Sequence, residues 1–385
     1  MKRVYFDNGA TSYPKPQQVS DAVYRYMMDI GCNVGRGIYK DAEDAESIVY
    51  DTREFIAELF NFNKPENVCF TKNITESLNV IIKGFVDEGD KVIVSNIEHN
   101  AVMRPLNACG AKIIKIDFIT DEEKGIKELE EFLKNDIKAV ILTHSSNVTG
   151  DILPIEKIGN ICKIYKTPFI LDSAQSAGVL EVDMEKMGID CVCFTGHKSL
   201  LGPQGIGGFA ITSDFEKNVK SFIHGGTGSV SDIEIQPSFM PDKFESGTQN
   251  LPGIFGLNEG LKFIKEIGID NIHSKEISLC SYFYKKLIEI DENETYFKLI
   301  GNKEINFRTP IISLDFKSHD NAEVSHILQS EYNIQNRCGL QCSPSAHKYY
   351  ETFPQGTVRF SLGYFNTEEE IDYVCDAIVA ILKIK

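Results

Sequence analysis

The chain has 385 residues, enough for a large core arranged in two lobes. Its 56 acidic residues against 40 basic ones leave a formal charge of −16, so its surface repels nucleic acid and anionic membranes and neither is expected as a partner. Hydrophobic residues are 42% and charged residues 25%, as in a soluble globular protein, and no apolar run approaches the ~20 residues that span a bilayer.

Met1-Lys2-Arg3 runs straight into the strand-like Val4-Tyr5-Phe6 with no apolar signal core, so a cytoplasmic location is expected. The ten cysteines are scattered and form no paired C-x-x-C pattern. That distribution fits reduced thiols better than a disulfide scaffold, and no metal site is expected from it. Helices are predicted over 17–28, over 45–60 with Ile48, Phe55, Ile56 and Leu59 as the apolar positions, and around Ile126, Leu129, Phe132 and Leu133. Strands are predicted over 67–71, 91–95, 112–118, 138–143, 168–172 and 190–195, several of them near-continuous apolar runs suited to burial on both faces. Strands and helices alternate through the first 260 residues, the pattern of a mostly parallel sheet covered by helices. Beyond Gly260 a long helix, strands at 311–316 and 357–362 and a final helix indicate a smaller α+β lobe. Thr367 and Glu370 make a capping box for that last helix, with Ile371, Val374, Cys375, Ile378 and Leu382 as its buried stripe. The expected division is a large domain over 15–260 and a small one over 261–385 joined by the N-terminal 1–14.

Chemistry concentrates at strand ends. Phe169-Ile170-Leu171 ends in Asp172, followed by Ser173-Ala174-Gln175, and ligands of open α/β sheets bind at the carboxyl ends of strands. Alone, Asp172 reads as a helix cap. One strand later comes Thr195-Gly196-His197-Lys198, followed by a glycine-rich stretch from Leu201 to Gly208. Most lysines are solvated, but one held near a buried site has its ammonium form disfavoured and its amine free for a Schiff base. A carboxylate for a pyridinium nitrogen and a lysine for an aldehyde are the two groups pyridoxal phosphate (PLP) requires. The strand-to-helix junction at Thr71–Thr75 offers free backbone N–H groups and a helix N-terminus to an anion.

Asp172-x-x-Gln175 followed by Thr195-Gly196-His197-Lys198 resembles the PLP signature of class V aminotransferases, and of cysteine desulfurases in particular. The similarity runs from Asp7-Asn8-Gly9-Ala10-Thr11 to Gly363-Tyr364-Phe365-Asn366-Thr367. It implies a PLP-dependent transferase of fold type I, with a seven-stranded, mostly parallel sheet. It also implies that Lys198 carries the cofactor, Asp172 pairs with the ring nitrogen, Gln175 bonds the phenolic oxygen and His99 stacks on the ring. Asn147 would lie near cofactor or substrate, and Thr75, Thr195 and His197 would hold the phosphate. Thr248, in Phe244-Glu245-Ser246-Gly247-Thr248, would reach the phosphate of a partner subunit, so a homodimer is implied.

Arg337-Cys338-Gly339-Leu340-Gln341-Cys342-Ser343-Pro344 is similar to the short loop of group II, SUF-type desulfurases. The resemblance makes Cys342 the nucleophile that becomes a persulfide and Arg359 the group that takes the carboxylate of L-cysteine. A sulfur-acceptor protein is then implied, feeding iron–sulfur assembly, tRNA thiolation or molybdenum-cofactor sulfuration. Three departures stand out: Asn73-Ile74 where a small residue and a hydroxyl are usual, Leu340-Gln341 where histidines are common, and the extra thiol of Cys338. Two readings compete within the fold, a selenocysteine lyase acting on L-selenocysteine and a class V aminotransferase. A non-catalytic scaffold of the same fold is the alternative from another class.

Overall fold

The strands in chain order are β1 (Val4–Tyr5), β2 (Val68–Thr71), β3 (Lys91–Ser95), β4 (Lys112–Ile116), β5 (Ala139–Thr143), β6 (Phe169–Asp172) and β7 (Cys191–Thr195). They continue with β8 (Gly207–Ile211), β9 (Phe297–Ile300), β10 (Ile311–Phe316), β11 (Ile334–Gln335), β12 (Arg337–Gly339) and β13 (Thr357–Ser361). They come from a computed structural model that describes residues 3–35 and 37–383; Met1-Lys2 and the last two residues of the 261–385 span lie outside the described residues.

Seven strands form one sheet in the order β2-β8-β7-β6-β5-β3-β4. Only β8 runs against its neighbours, pairing antiparallel with β2 and β7. The rest of the ladder is parallel, as the alternation of elements requires. Strand β8 is absent from the sequence expectations because Gly207-Gly208-Phe209-Ala210-Ile211 has no alternation to read. All five residues are buried, and a Cβ on Gly207 would sit 2.8 Å from the Phe194 carbonyl and 2.9 Å from the Asn73 Cα. After β3 the chain moves outward to β4, whereas after β5 it moves to β6 on the other side. This reversal opens a crevice at the carboxyl ends of β3 and β5.

The helix expected over 45–60 starts earlier, at Lys40–Leu59, and buries Ala42, Ala45, Val49, Thr52, Arg53, Ile56 and Ala57. Ile48, Phe55 and Leu59 pack only at the margin of that face, because the polar Arg53 is drawn inward by an ion pair. The helix expected over 17–28 is Gln17–Arg25 followed by a wider π turn, Tyr26–Ile30. The last helix, Glu368–Leu382, forms as expected, with Thr367 Oγ1 accepting the Glu370 amide at 3.3 Å and the whole predicted stripe buried.

A second, antiparallel sheet has the order β12-β13-β10-β9, and β1 pairs in parallel with β11 beside it. Val4 and Phe6 join residues from Leu279 onward in the core under this sheet, whereas Leu261, Ile264 and Ile272 belong to the core of the first one. We propose that the junction between lobes falls just after Ile272, some residues beyond the expected position, because helix Leu251–Ile267 buries its apolar face on the large sheet.

Candidate active site

Asp172 closes β6 and Lys198 follows β7, and the ladder aligns Thr143, Asp172 and Cys193 in one row across three strands. Asp172 is only 2% exposed and its Oδ1 accepts the Ala174 amide at 2.9 Å. Burial pushes its carboxyl up, while the Ala174 amide and the nearby Lys198 charge hold it down. Lys198 moves the other way. Burial lowers its ammonium to about 8, Asp172 opposes that, and Arg359 and Arg337 add like-charge repulsion. A buried carboxylate and a softened amine on adjacent strand ends can grip the two ends of one aromatic cofactor.

His99 follows β3 and caps helix Asn100–Ala108, its Nδ1 accepting the Ala101 amide at 3.0 Å. That bond leaves the proton on Nε2, and burial, reinforced by Lys198, lowers the ring to about 4, so it is neutral at ordinary pH. Beneath it lies Glu98, which sequence reasoning passed over. Its carboxylate is fully buried and accepts the Ser95 hydroxyl at 2.5 Å and the Thr143 amide at 3.0 Å, yet burial raises it to about 8. The folded protein therefore holds a proton that the unfolded chain releases near its ordinary 4.5. The resulting stability is complete below that value and is lost as pH climbs through about 8. Glu98→Gln stays neutral throughout, so its Tm relative to wild type should rise from about pH 5 to about pH 8. A difference that stays flat across that range would contradict the assignment.

At the other end of Lys198, Thr195 Oγ1 and His197 Nδ1 are buried and unpartnered among the described residues. Buried polar atoms are rarely left so, and a hydroxyl beside an imidazole nitrogen suits a phosphate. The row Thr71–Gly207–Thr195 sets the start of helix Ile74–Phe85 at the same edge. There Asn73 replaces the usual small residue and caps the helix, its Oδ1 accepting the Glu76 amide at 3.0 Å. One of the helix-start donors is thereby used, and Thr75 stands exposed in the first turn. Gln175 is buried and donates to the Gly9 carbonyl at 3.0 Å, which ties the N-terminal segment over the crevice.

Thr248 is exposed and lines an open depression with Thr71, Glu76 and Gly205. Its loop is anchored by Glu245, whose carboxylate takes a two-point bond from buried Arg53 at 2.8 and 2.7 Å and the Phe70 amide at 2.7 Å. Nothing local in the sequence marks that pair.

Arg359, on β13, is 2% exposed. Its Nη1 donates to the Asn147 carbonyl at 2.8 Å and its Nη2 to Asp7 Oδ1 at 2.9 Å, while its Nε is buried without a partner among the described residues. The Nε–H is thus a buried donor that a further acceptor could satisfy. Arg337 stands opposite Arg359 in the ladder and also binds Asp7, at 2.9 Å. Asp7 thus sets both arginines, a role sequence reasoning missed. Cys342 is exposed, and its carbonyl accepts the Asn100 amide at 2.9 Å, so the thiol-bearing loop sits against the start of the His99 helix. Cys338 pairs with Val358 and packs against the second core, on the face of β12 opposite Arg337. Its burial raises the thiol, which fits a packing residue and not a redox partner for Cys342.

The aminotransferase class-V family model matches residues 4–374, and the chain belongs to that family, whose cofactor is pyridoxal phosphate. Among its relatives, a "Probable cysteine desulfurase" of Pyrococcus abyssi is 31% identical, covering 99% of this chain and 94% of its own. The "Cysteine desulfurase" of Haloferax volcanii is 29% identical over 98% of this chain and 89% of its own. The apo structure of a cysteine desulfurase from Thermococcus onnurineus superposes with a TM-score of 0.90 at 29% identity, covering 99% of this chain and 95% of that one. The Escherichia coli cysteine desulfurase CsdA gives 0.86 at 25% identity, covering 99% and 95%.

Proposed function

We propose that the protein is a PLP-dependent cysteine desulfurase that converts L-cysteine to L-alanine and carries the sulfur on Cys342. The observation that carries this reading is buried Asp172 and half-buried Lys198 at adjacent strand ends, with an exposed thiol on a loop bonded to the neighbouring helix start. When bound, the cofactor supplies an aldehyde for the amine and a ring that absorbs an electron pair. Lys198 would hold it, Asp172 would keep the ring nitrogen protonated, Gln175 would face the phenolic oxygen, and neutral His99 would cover the ring. Thr195, His197 and Thr75 would take the phosphate. The Nε–H of Arg359 receives the substrate carboxylate. The Lys198 amine, weakly basic for a lysine, removes the α-proton. The Cys342 thiolate then attacks the substrate sulfur. A sulfur–sulfur bond forms as the carbon–sulfur bond breaks, and protonation of the remaining three-carbon fragment gives L-alanine.

A homodimer with Thr248 serving the partner's phosphate is part of this reading. It is supported by the exposed apolar side chains Tyr24, Met27, Met28, Ile38, Ile235 and Phe239. A sulfur-acceptor protein and a cytoplasmic setting complete it. No described helix is long and apolar enough to cross a membrane. The test is incubation of the holoenzyme with L-cysteine, measuring L-alanine and sulfide together with the mass of the peptide bearing Cys342. One added sulfur atom and matching alanine are expected. Intact cofactor absorbance without alanine would refute the reading.

A further inference from the structure

The thiol of Cys342 is exposed, but the backbone that carries it is tightly held. Gln341 and Cys342 both adopt left-handed conformations, with φ of 41° and 61°. Residues with side chains take up that region when their surroundings impose it. Gln341 is buried; its Nε2 donates to the Thr357 carbonyl at 3.0 Å, so its Oε1 accepts from His347 Nε2 at 2.8 Å. His347 is in turn fixed by Thr352 Oγ1 at 2.7 Å. The remaining grip comes from Asn147. Its Nδ2 donates to the Gln341 carbonyl at 2.7 Å and its Oδ1 accepts the Ser343 hydroxyl at 2.6 Å, one bond on each side of Cys342. The backbone carbonyl of the same residue accepts from Arg359 Nη1 at 2.8 Å.

We infer that Asn147 is a positioning residue that clamps the loop on both sides of Cys342 and ties it to the arginine that receives the substrate carboxylate. The side-chain amide expected to face cofactor or substrate is engaged by the loop at both of its polar atoms. Ser343 is the second half of the clamp, and it is fully buried for that purpose. A thiol that must meet a substrate sulfur in line gains from such a mount, since a displacement of ~1 Å can cost about a hundredfold in rate.

This inference rests on the desulfurase reading, and Ser343→Ala in the holoenzyme tests it, because the change breaks one of the two clamp bonds and leaves the Asn147 side chain itself in place. Cofactor absorbance should be unchanged and KM for L-cysteine should stay within about twofold, while kcat for alanine falls about tenfold. Asn147→Ala should show the same split with a larger loss, since it breaks both clamp bonds, and adding Ser343→Ala to it should cost nothing further, because the bond to Ser343 is already gone. Hydrogen exchange supplies a readout independent of turnover. The Asn100 amide, bonded to the Cys342 carbonyl, should exchange faster in both variants. The inference is overturned if Ser343→Ala keeps wild-type kcat and Asn100 protection while Asn147→Ala shifts absorbance or KM. It is equally overturned if the double variant loses the product of the two single losses. Wild-type enzyme that makes no alanine sinks the desulfurase reading instead, and the exchange of Asn100 still reports on the clamp.

Discussion

Lys198→Ala is expected to abolish the visible absorbance of the cofactor–lysine adduct and to lower alanine formation by at least about 10³-fold. The variant loses both the attachment point and the base, since one amine serves in turn as each. The structural cost should be small: Lys198 is only partly buried and its ammonium is already disfavoured where it stands. A second measurement separates lost chemistry from lost folding. In cofactor-free wild-type protein, acylation of Lys198 should rise with pH through about 8, well below the ordinary 10.5 of a lysine. An unchanged spectrum in the variant, or acylation that waits for the ordinary lysine range, would contradict the assignment.

Cys342→Ala should behave in the opposite manner. Cofactor absorbance is expected to be that of wild type, because Cys342 is exposed and makes only a backbone bond to the helix start beside His99. Alanine release from L-cysteine should fall about 10³-fold, since the thiol assigned to take the sulfur is gone. Cys338, the nearest in sequence, packs against the second core. Comparison with L-selenocysteine divides the desulfurase from the lyase. Selenium leaves as the better anion, so a selenocysteine lyase would retain most of its turnover without the thiol. An aminotransferase would be indifferent to the change with either substrate and would need an oxo-acid acceptor.

The two variants also show how far local pattern reaches. Asp172 stands out because an apolar run ends at it and Lys198 because it follows the next such strand, and a strand end in an open α/β sheet is a position with chemical meaning whatever the rest of the chain does. Cys342 stands out through its short loop and the resemblance that loop carries. By contrast, β8 escapes because five small or apolar residues buried on both faces have no period to detect. The Lys40–Leu59 helix shows its wrong side to a hydrophobic pattern for a related reason: its most consequential inward residue is Arg53, made internal by a carboxylate nearly two hundred residues away.

By itself, the order of residues determined the class of fold and pointed to the strand ends proposed to carry the cofactor chemistry and the thiol proposed to take the sulfur. Fold class and strand ends depend on neighbours within a few positions, where periodicity and chain direction leave a direct trace, whereas the thiol was marked by the resemblance its loop carries. Only the folded chain decided how those groups are aimed. Asp7 meets Arg359 across 352 positions and Arg337 across 330, and Ser343 meets Asn147 across 196. It also decided that Glu98 would be fully buried and that Cys338 would face the core while Arg337, one residue before it, reaches Asp7. Such pairings arise when segments far apart in the chain are brought side by side by the fold, and no short stretch of sequence contains both partners.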